Sequence, residues 1–381
     1  MAERTRRGVR YWPTATQKRL LQAALFEGEV ARQGWEAGRT ALLSDPPDAG
    51  GMWLRPMLSA KVPLLAAGDP LLPSLDAAFA EAAARVLRYE AHVGALVRTL
   101  EHRGIPTLLL KGAALGPEFY GAAGLRPMSD IDFAVRPETL AGAVSIATES
   151  GWAPRHPISR AFIATQHAAH FSDVDQCQVD LHWRVLPESR RPGIDGPFWD
   201  AALDRTWGGA ATRVLVPADA LLHVLVHGSR WTRTSGIRWV TDAVLIIRAR
   251  QVDWERLVSE ARRRELVVRV RRTLGYLAVA GLAEVPVEVL RELASSRSSF
   301  LERLEHAELS REPGLLGGLP LFCFQYGRGL DGHPPHAALA GFPAYLRDAW
   351  ELESTREVPA AVLRRISRAV GRSLHPGGRP R

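Results

Sequence analysis

Two aspartates stand one residue apart in a short apolar segment, residues 130–135, which reads DIDFAV. Because side chains alternate across a β-strand, Ile131 and Phe133 would share one face, and Asp130 and Asp132 the other. The segment is therefore predicted to be a strand that packs through one face and presents two carboxylates on the other. Such carboxylates repel each other unless a cation neutralises them, and oxygen ligands favour Mg²⁺ or Mn²⁺.

A third acid occurs in a later segment that has the same alternation. Residues 166–186 are predicted to form a hairpin, and its second strand would place Val179 on one face and Asp180 and His182 on the other. If this strand lies beside the first, Asp180 supplies a third carboxylate, and three carboxylates can hold two metal ions for phosphoryl transfer. His182 would then bind, shuttle a proton or orient the acid; the alternative is a structural hydrogen bond.

A Lys-Gly pair follows an earlier apolar run, IPTLLL, and stands where a predicted strand ends and a helix begins. Gly112 would let a phosphate approach the backbone, and Lys111 adds a positive charge. Arg126, four residues before the first acid, is a further candidate for a phosphate contact. The alternative for this arginine is an ion pair with Asp130 or Asp132.

Three parts are predicted along the chain from its Pro/Gly-rich stretches and its periodicities: residues 1–72, 73–215 and 216–381. The first is a mostly helical N-terminal segment, and the last is a helical domain with a looser segment at 313–345. The middle part begins with a long helix and continues with alternating strands and helices. This order predicts an α+β fold, in which a small mixed β-sheet core is flanked by helices.

Residues of the C-terminal part are predicted to border the acidic site. His227 stands at the end of one helical segment, and Arg238, Trp239 and Asp242 begin the next. His223 and His227 are four residues apart, which would suit zinc, but no third ligand is evident. Trp239 could stack on a nucleotide base, although packing between helices is the favoured interpretation.

The formal net charge of +8 raises the question of a polyanionic partner. Nearly all the basic residues are arginines spread along the chain, so a nucleic-acid partner is left open but is not favoured. No apolar run is long enough to span a bilayer, and the basic N-terminus has no apolar segment behind it, so no membrane association is expected. Two cysteines provide no disulfide framework, and we expect a cytoplasmic protein.

The stretch LLLKGAALGPEFYGAAGLRPMSDIDFAVRPE, followed later by VDLHWRV, resembles the uncharacterised nucleotidyltransferase family of the DNA polymerase beta-like superfamily. The resemblance extends over residues 75–265 and implies the superfamily's nucleotidyltransferase core. It also implies an enzyme that moves an NMP from an NTP to an acceptor hydroxyl and releases pyrophosphate. The acceptor, whether a small molecule, a peptide natural product or another group, is not defined by the resemblance.

Site residues follow from the resemblance position by position. Asp130 and Asp132 would bind both metal ions, and Asp180 would bind the catalytic one and help to deprotonate the acceptor hydroxyl. Lys111 and Gly112 would contact the β- and γ-phosphates. The superfamily's usual Gly-Ser or Gly-Gly pair is absent, so the resemblance does not define how the triphosphate is bound. The predicted catalytic and metal-binding residues are Asp130, Asp132 and Asp180, and the predicted nucleotide-binding residues are Lys111, Gly112, Arg126 and His182.

Two other functions are weighed against this one. A glycosyltransferase could use the D-x-D pair for a metal and a nucleotide sugar, but residues 1–104 look helical and that chemistry does not need Asp180. A non-catalytic relative could bind a nucleotide without transferring it, and the three intact acids argue against this. Metal-dependent release of pyrophosphate would separate the first function from both alternatives.

Overall fold

The computed structural model describes residues 11–44, 48–231, 236–311, 319–330 and 335–374, and for 335–339 and 368–374 it describes the backbone alone. The ends of the chain, which belong to the predicted N- and C-terminal parts, lie outside these residues. Seven strands of the described chain form one mixed sheet in the order β3-β4-β5-β2-β1-β7-β6. The strands are β1 Leu108–Leu109, β2 Ile131–Ala134, β3 Ala153–Pro154, β4 Ala168–Ser172, β5 Gln178–His182, β6 Leu203–Trp207 and β7 Ala210–Val214.

The pairing of the strands places the acidic segments side by side. Strand β2 is parallel to β5 and antiparallel to β1, and β4 and β5 form the predicted antiparallel hairpin. On the far side of β1, β7 runs parallel to it and pairs with β6 in a second hairpin. The mixed sheet and the helices around it confirm the predicted α+β fold.

Helices make up most of the remaining chain. The α-helices are α1 Ala15–Leu25, α2 Gly28–Gly38, α3 Ala49–Met52, α4 Arg55–Leu65, α5 Leu72–His102, α6 Lys111–Leu115, α7 Leu140–Glu149, α8 Arg160–Thr165, α9 Gly196–Asp200, α10 Pro217–Gly228, α11 Arg238–Arg248, α12 Trp254–Arg263, α13 Val267–Val279, α14 Val287–Ser295, α15 Phe300–Leu309, α16 Leu319–Gly327, α17 Pro335–Ala349 and α18 Val358–Leu374. Short 3₁₀ turns span Arg39–Leu42, Pro137–Thr139 and Thr355–Glu357, and a π-helical turn spans Gly116–Tyr120.

Local sequence signals explain several of these helix ends. Thr14 and Gln17 form a capping box at the start of α1, with each side chain bonded to the other's backbone N–H. Asp253 and Ser299 cap α12 and α15 without a reciprocal bond, each accepting from a first-turn N–H. None of the helices in the described part of the chain combines the length and the apolarity needed to cross a bilayer.

The segment at 313–345, which the sequence predicts to be loose, contains the helices α16 and α17. Its aromatic residues account for the difference, because Tyr326 packs against Phe342 and Tyr345 with ring centroids 5.4 and 5.1 Å apart. The helix α17 continues through a proline, Pro343. The prediction of a loose segment is therefore wrong for these two stretches, and residues 312–318 and 331–334 lie outside the described chain.

Hydrophobic cores lie on both faces of the sheet. On one face, Ile131 and Phe133 of β2 pack with apolar residues of α5 and α7. On the other face, Ala134 joins a larger core that combines the N-terminal helices with α10 to α14. Because side chains alternate along the strand, Asp132 shares this second face with Ala134 and points toward the C-terminal helices.

Candidate functional site

Asp132 and Asp180 are direct partners in the register of the parallel strands β2 and β5. Their side chains are only 4% and 12% exposed, so two carboxylates lie together in a poorly hydrated place. With His182 they form a group in which one ligand atom from each residue lies within 4.8 Å of the others. The structure therefore brings together two of the predicted acids and the predicted histidine.

Asp132 is held by two basic side chains. Lys111 Nζ donates to Asp132 Oδ1 at 2.5 Å, and His182 Nε2 lies 3.1 Å from the same oxygen. Burial alone would raise the pKa of Asp132, but Lys111 and the hydrogen bond from His182 outweigh it and hold the pKa below its ordinary value. Asp132 is therefore a carboxylate at neutral pH, and its negative charge is partly neutralised by the chain itself.

Lys111 has a left-handed backbone conformation, with φ of 46°, at the point where β1 ends and α6 begins. For a residue with a side chain this conformation costs about 1–2 kcal/mol. The side chain of Lys111 crosses from this turn to Asp132 on the neighbouring strand. Strain of this kind persists where the surrounding structure fixes the backbone, and it is common at ligand-binding turns.

Asp130 lies just before β2, which begins at Ile131, so it is not part of the strand that the sequence predicts from residue 130. Ser129 Oγ donates to Asp130 Oδ1 at 2.9 Å. Burial and the negative charges of Asp132 and Asp180 raise the pKa of Asp130 above its ordinary value. All three predicted acids are thus near enough to repel one another, but Asp130 stands outside the tight group of Asp132, Asp180 and His182.

His170 is a further residue at the acidic group, one that the sequence did not single out for this role. It lies opposite Asp180 in the β4–β5 hairpin, and its Nδ1 contacts Asp180 Oδ1. The hydrogen bond to Asp180 raises the pKa of His170 above its ordinary value. The cross-strand register is the signal that would have found it, and that register depends on the length of the hairpin turn.

Arg126 is bound to Asp242, which is a different partner from those that the sequence suggested. Its Nε and Nη2 donate to the two oxygens of Asp242 at 2.7 and 2.8 Å, a bidentate pair buried between the sheet core and α11. Tyr120 donates to Asp242 as well, at 2.6 Å. The neighbouring Asp242 raises the pKa of Arg126 against the effect of burial, so the guanidinium stays charged.

Gly112 makes the position of Arg126 possible. A Cβ atom at residue 112 would lie 2.4 Å from Arg126 Nη1 and 2.6 Å from the sulfur of Met128. A side chain would therefore displace the arginine or the methionine. The glycine of the Lys-Gly pair is explained here by the close approach of Arg126, in addition to any role toward a phosphate.

An open cleft with about 690 Å³ of empty space separates these residues from the C-terminal helices. Both halves of the chain line it, as the sequence predicts. From the sheet core it is lined by Lys111, Gly112, Leu115, Arg126, Met128, Ser129, Asp130 and Asp132, and from the C-terminal helices by His223, Val224, His227, Arg238, Trp239 and Asp242.

The lysine and the arginines that line this cleft differ in their partners. Lys111 is paired with Asp132, and Arg126 is paired with Asp242. Arg238, at the first turn of α11, stacks on Trp53 with its guanidinium 3.9 Å from the ring centroid. Within the described part of the chain, no carboxylate forms an ion pair with Arg238.

Burial and nearby groups determine the state of the two histidines and the tryptophan that line the cleft from the C-terminal helices. The positive charge of Lys111 and burial lower the pKa of His227 well below its ordinary value, and burial and Lys111 lower the pKa of His223 to about 3. Both rings are therefore neutral at physiological pH. Trp239 is buried, donates to the backbone oxygen of Tyr11 and packs edge-on against Trp12, as expected for packing between helices, and it also lines the cleft.

The chemistry of the acidic group fits a hard divalent cation. Asp132 and Asp180 offer carboxylate oxygens on adjacent strands, and Asp130 adds a third that the other two repel. A cation would relieve this repulsion, as Lys111 already does for Asp132. His182 has one ring nitrogen directed to Asp132, and among the described residues its buried Nδ1 has no hydrogen-bond partner.

Comparison with known proteins gives the chain a family. Residues 54–280 match the family described as "Uncharacterised nucleotidyltransferase", which is more than half of the chain, so the protein belongs to that family. A solved structure of an antigenic nucleotidyltransferase-like protein from Paracoccidioides brasiliensis is similar at 13% identity, with a TM-score of 0.34, over 57% of this chain and 96% of that one. No curated protein matches the sequence.

Proposed function

We propose that this member of the uncharacterised nucleotidyltransferase family moves an NMP from an NTP to an acceptor hydroxyl, in a metal-dependent reaction that releases pyrophosphate. The observation that carries the proposal is the pairing of Asp132 with Asp180 across two parallel strands, with Asp132 and the neighbouring Asp130 lining a cleft that basic residues also line. Such a cleft suits a triphosphate, because positive side chains attract its phosphates while carboxylates hold the cations that accompany it.

Asp130, Asp132 and Asp180 would hold Mg²⁺ or Mn²⁺. When bound, the metal would stabilise the negative charge that develops on the phosphate oxygens and would help to orient the attacking and leaving groups. His182 supports this arrangement by fixing Asp132 through its Nε2. The acids differ in burial. Asp132 is buried and is held by Lys111 and His182, whereas Asp130 is half-buried and lies at the more open edge of the site.

Basic residues of the cleft would bind the phosphates. We expect Lys111 to exchange Asp132 for a phosphate oxygen, because its side chain is 23% exposed and lines the cleft. Arg238 can reach a phosphate without breaking an ion pair, since its described contact is the ring of Trp53. Arg126 keeps its bidentate contact with Asp242 and would contribute through the remaining nitrogen, Nη1, which lies over Gly112.

Asp180 would accept the proton of the acceptor hydroxyl. It lies on β5 next to Asp132 and contacts His170, a side chain that is 62% exposed and that could pass the proton to solvent. The acceptor would then approach from the side of β4, opposite to the side on which Lys111 stands. This arrangement keeps the proton acceptor apart from the residues that bind the triphosphate.

One observation favours a second candidate, a non-catalytic nucleotide-binding relative. Lys111 already neutralises Asp132 and His182 contacts the same oxygen, so a cation has to compete with both side chains for that carboxylate. Nothing comparable favours a D-x-D glycosyltransferase, because Asp180 and the Lys111-Gly112 turn have no part in that chemistry.

The experiment that tests the proposal incubates the protein with each of the four NTPs, Mg²⁺ or Mn²⁺, and a fractionated extract of small molecules and peptides. Pyrophosphate release and the mass of any NMP adduct are measured together. The matched control is Asp180→Asn, which removes one negative charge on β5 and leaves Lys111, Arg126 and Arg238 of the cleft unchanged. NTP binding without metal-dependent pyrophosphate release in any fraction would favour the non-catalytic relative.

A further inference from the structure

A second group of ligand-type side chains lies at the tip of the β4–β5 hairpin, and none of its members lines the cleft. His92 of α5 faces Asp173 and Cys177, with His92 Nδ1 at 2.7 Å from Asp173 Oδ2. One nitrogen, one oxygen and one sulfur from these three residues all lie within 4.8 Å of one another. Asp175 stands at the edge, with its carboxylate 3.8 Å from His92 Nδ1.

The donor atoms differ from those of the acidic site. A thiol, an imidazole and a carboxylate are the ligands of zinc and of related cations, whereas Mg²⁺ prefers oxygen alone. The positions of the three donors are also fixed from outside the group. Asp173 Oδ1 accepts the backbone N–H of Asp175 at 2.9 Å and of Cys177 at 2.8 Å, which leaves Oδ2 directed at His92.

Cys177 is the least expected member of the group. It is a free cysteine whose side chain is fully buried, yet it stands beside the carboxylate of Asp173. A thiol in apolar surroundings needs no polar partner for packing, so the convergence of His92 and Asp173 on the sulfur calls for another reason.

We propose that His92, Asp173 and Cys177 form a binding site for a thiophilic divalent cation of the zinc class. Binding would release the thiol proton to solvent and form a metal–thiolate bond, with Asp175 or a water molecule as the fourth ligand. The site would fasten the hairpin tip to α5. Because Cys177 directly precedes β5, on which Asp180 lies, the same site would also fix the strand that carries one of the acids.

The proposal does not depend on the proposed nucleotide transfer. Its metal is held by sulfur, and the acidic group of the cleft contains no sulfur. A thiolate-to-metal signal therefore reports on the hairpin site alone, whether or not the protein acts on a nucleotide.

The test titrates the full chain with Co²⁺ and records the ultraviolet charge-transfer band that a cobalt–thiolate bond produces. We expect one equivalent to give this band in the wild type and in Cys323→Ser, which removes the other cysteine, exposed on α16. Cys177→Ser should lose the band, and His92→Gln should weaken Co²⁺ binding at least tenfold. We further expect Zn²⁺ to raise the melting temperature of the wild type and not that of Cys177→Ser.

Two results would overturn the proposal. One is the absence of the charge-transfer band from the folded wild type at saturating Co²⁺. The other is a band that survives in Cys177→Ser or disappears in Cys323→Ser, which would assign the thiolate to the other cysteine. His92→Gln keeps the test decisive if the serine variant does not fold, because unchanged Co²⁺ affinity in it would contradict the proposed ligand set.

Discussion

Asp132 and Asp180 lie opposite each other on adjacent parallel strands, and only Asp132 is neutralised by a basic residue from the Lys-Gly turn, Lys111. In the protein without a bound cation, the negative charges of these acids therefore differ in how they affect stability. Asp132 is stabilised in its charged form, whereas Asp130, close to both, is not. The three acids should therefore respond in different ways to the same substitution.

The first prediction contrasts Asp132→Asn with Asp130→Asn. Folding lowers the pKa of Asp132, so its carboxylate stabilises the protein at every pH above about 4, the pKa of an aspartate in the unfolded chain. This stabilisation is lost as the pH falls through the lower pKa that Asp132 has in the folded protein. At pH 7, Asp132→Asn leaves Lys111 without its partner and should lower the free energy of unfolding by about 1–3 kcal/mol. Asp130→Asn removes a repelled charge and should leave stability unchanged or increase it.

Chemical denaturation in the presence of a chelator measures this contrast, since a bound cation would reverse the repulsion. Both variants should lose metal-dependent turnover. If Asp130→Asn destabilised the protein as much as Asp132→Asn, the distinction between the two acids would be incorrect.

The second prediction concerns the glycine of the Lys-Gly turn. Gly112→Ala places a methyl group 2.4 Å from Arg126 Nη1, and Arg126 cannot move freely because it is bound to Asp242 through two hydrogen bonds. We expect a loss of about 1–3 kcal/mol in the free energy of unfolding. The control is Gly116→Ala, because a Cβ at that position meets no atom within 4 Å. Equal stability of the two variants in urea denaturation would contradict the account.

The third prediction compares two arginines of α11 that stack on aromatic rings of the N-terminal part of the chain. Arg238, which lines the cleft, stacks on Trp53, and Arg248 stacks on Phe26 at the other end of the helix. Arg238→Gln should raise the NTP dissociation constant by about 10- to 100-fold, as expected for the loss of a hydrogen bond to a charged group. Arg248→Gln should leave it unchanged. Calorimetric titration with Mg²⁺-NTP measures both, and equal constants would remove Arg238 from the site.

The fourth prediction follows from a buried histidine far from the cleft. Burial and the charges of Arg272, Arg269 and Arg271 lower the pKa of His306 to about 4, and its side chain is almost inaccessible. In the unfolded chain the pKa of this histidine is about 6.5, so between that pH and about 4 the unfolded chain binds more protons than the folded protein does. The free energy of unfolding should therefore decrease as the pH falls through this range.

Replacing the histidine isolates its share of this loss. Between pH 7 and pH 5, His306→Gln should lose about 2 kcal/mol less free energy of unfolding than the wild type does. His102→Gln, at the exposed end of α5, should behave as the wild type. Identical pH dependence of all three proteins would show that His306 does not carry the effect.

The strands of the site could be predicted from the sequence because their signals are local. Alternation of apolar and polar residues predicts the buried faces of β2 and β5, and those faces place Asp132 and Asp180 on the same side of the sheet. The start of β2 was predicted one residue early, because a strand boundary depends on pairing with neighbours rather than on the residue itself. Asp130 therefore occupies the approach to the strand.

The partners of the basic residues could not be predicted in the same way. Arg126 and Asp242 are separated by 116 residues and meet only because α11 packs against the sheet core. Similarly, Arg238 lines the cleft and stacks on Trp53, which comes from the N-terminal part. Such contacts depend on how three parts of the chain pack, and a pattern within one segment contains no information about them.

The most direct test of the central claim is anomalous diffraction from crystals grown with Mn²⁺ and a non-hydrolysable NTP analogue. We predict an anomalous peak within coordination distance of both Asp132 and Asp180, with the triphosphate between that peak and Arg238. In crystals of Asp180→Asn the peak should weaken or disappear. A nucleotide bound elsewhere, or Mn²⁺ that leaves Lys111 paired with Asp132 and contacts neither aspartate, would contradict the proposed site.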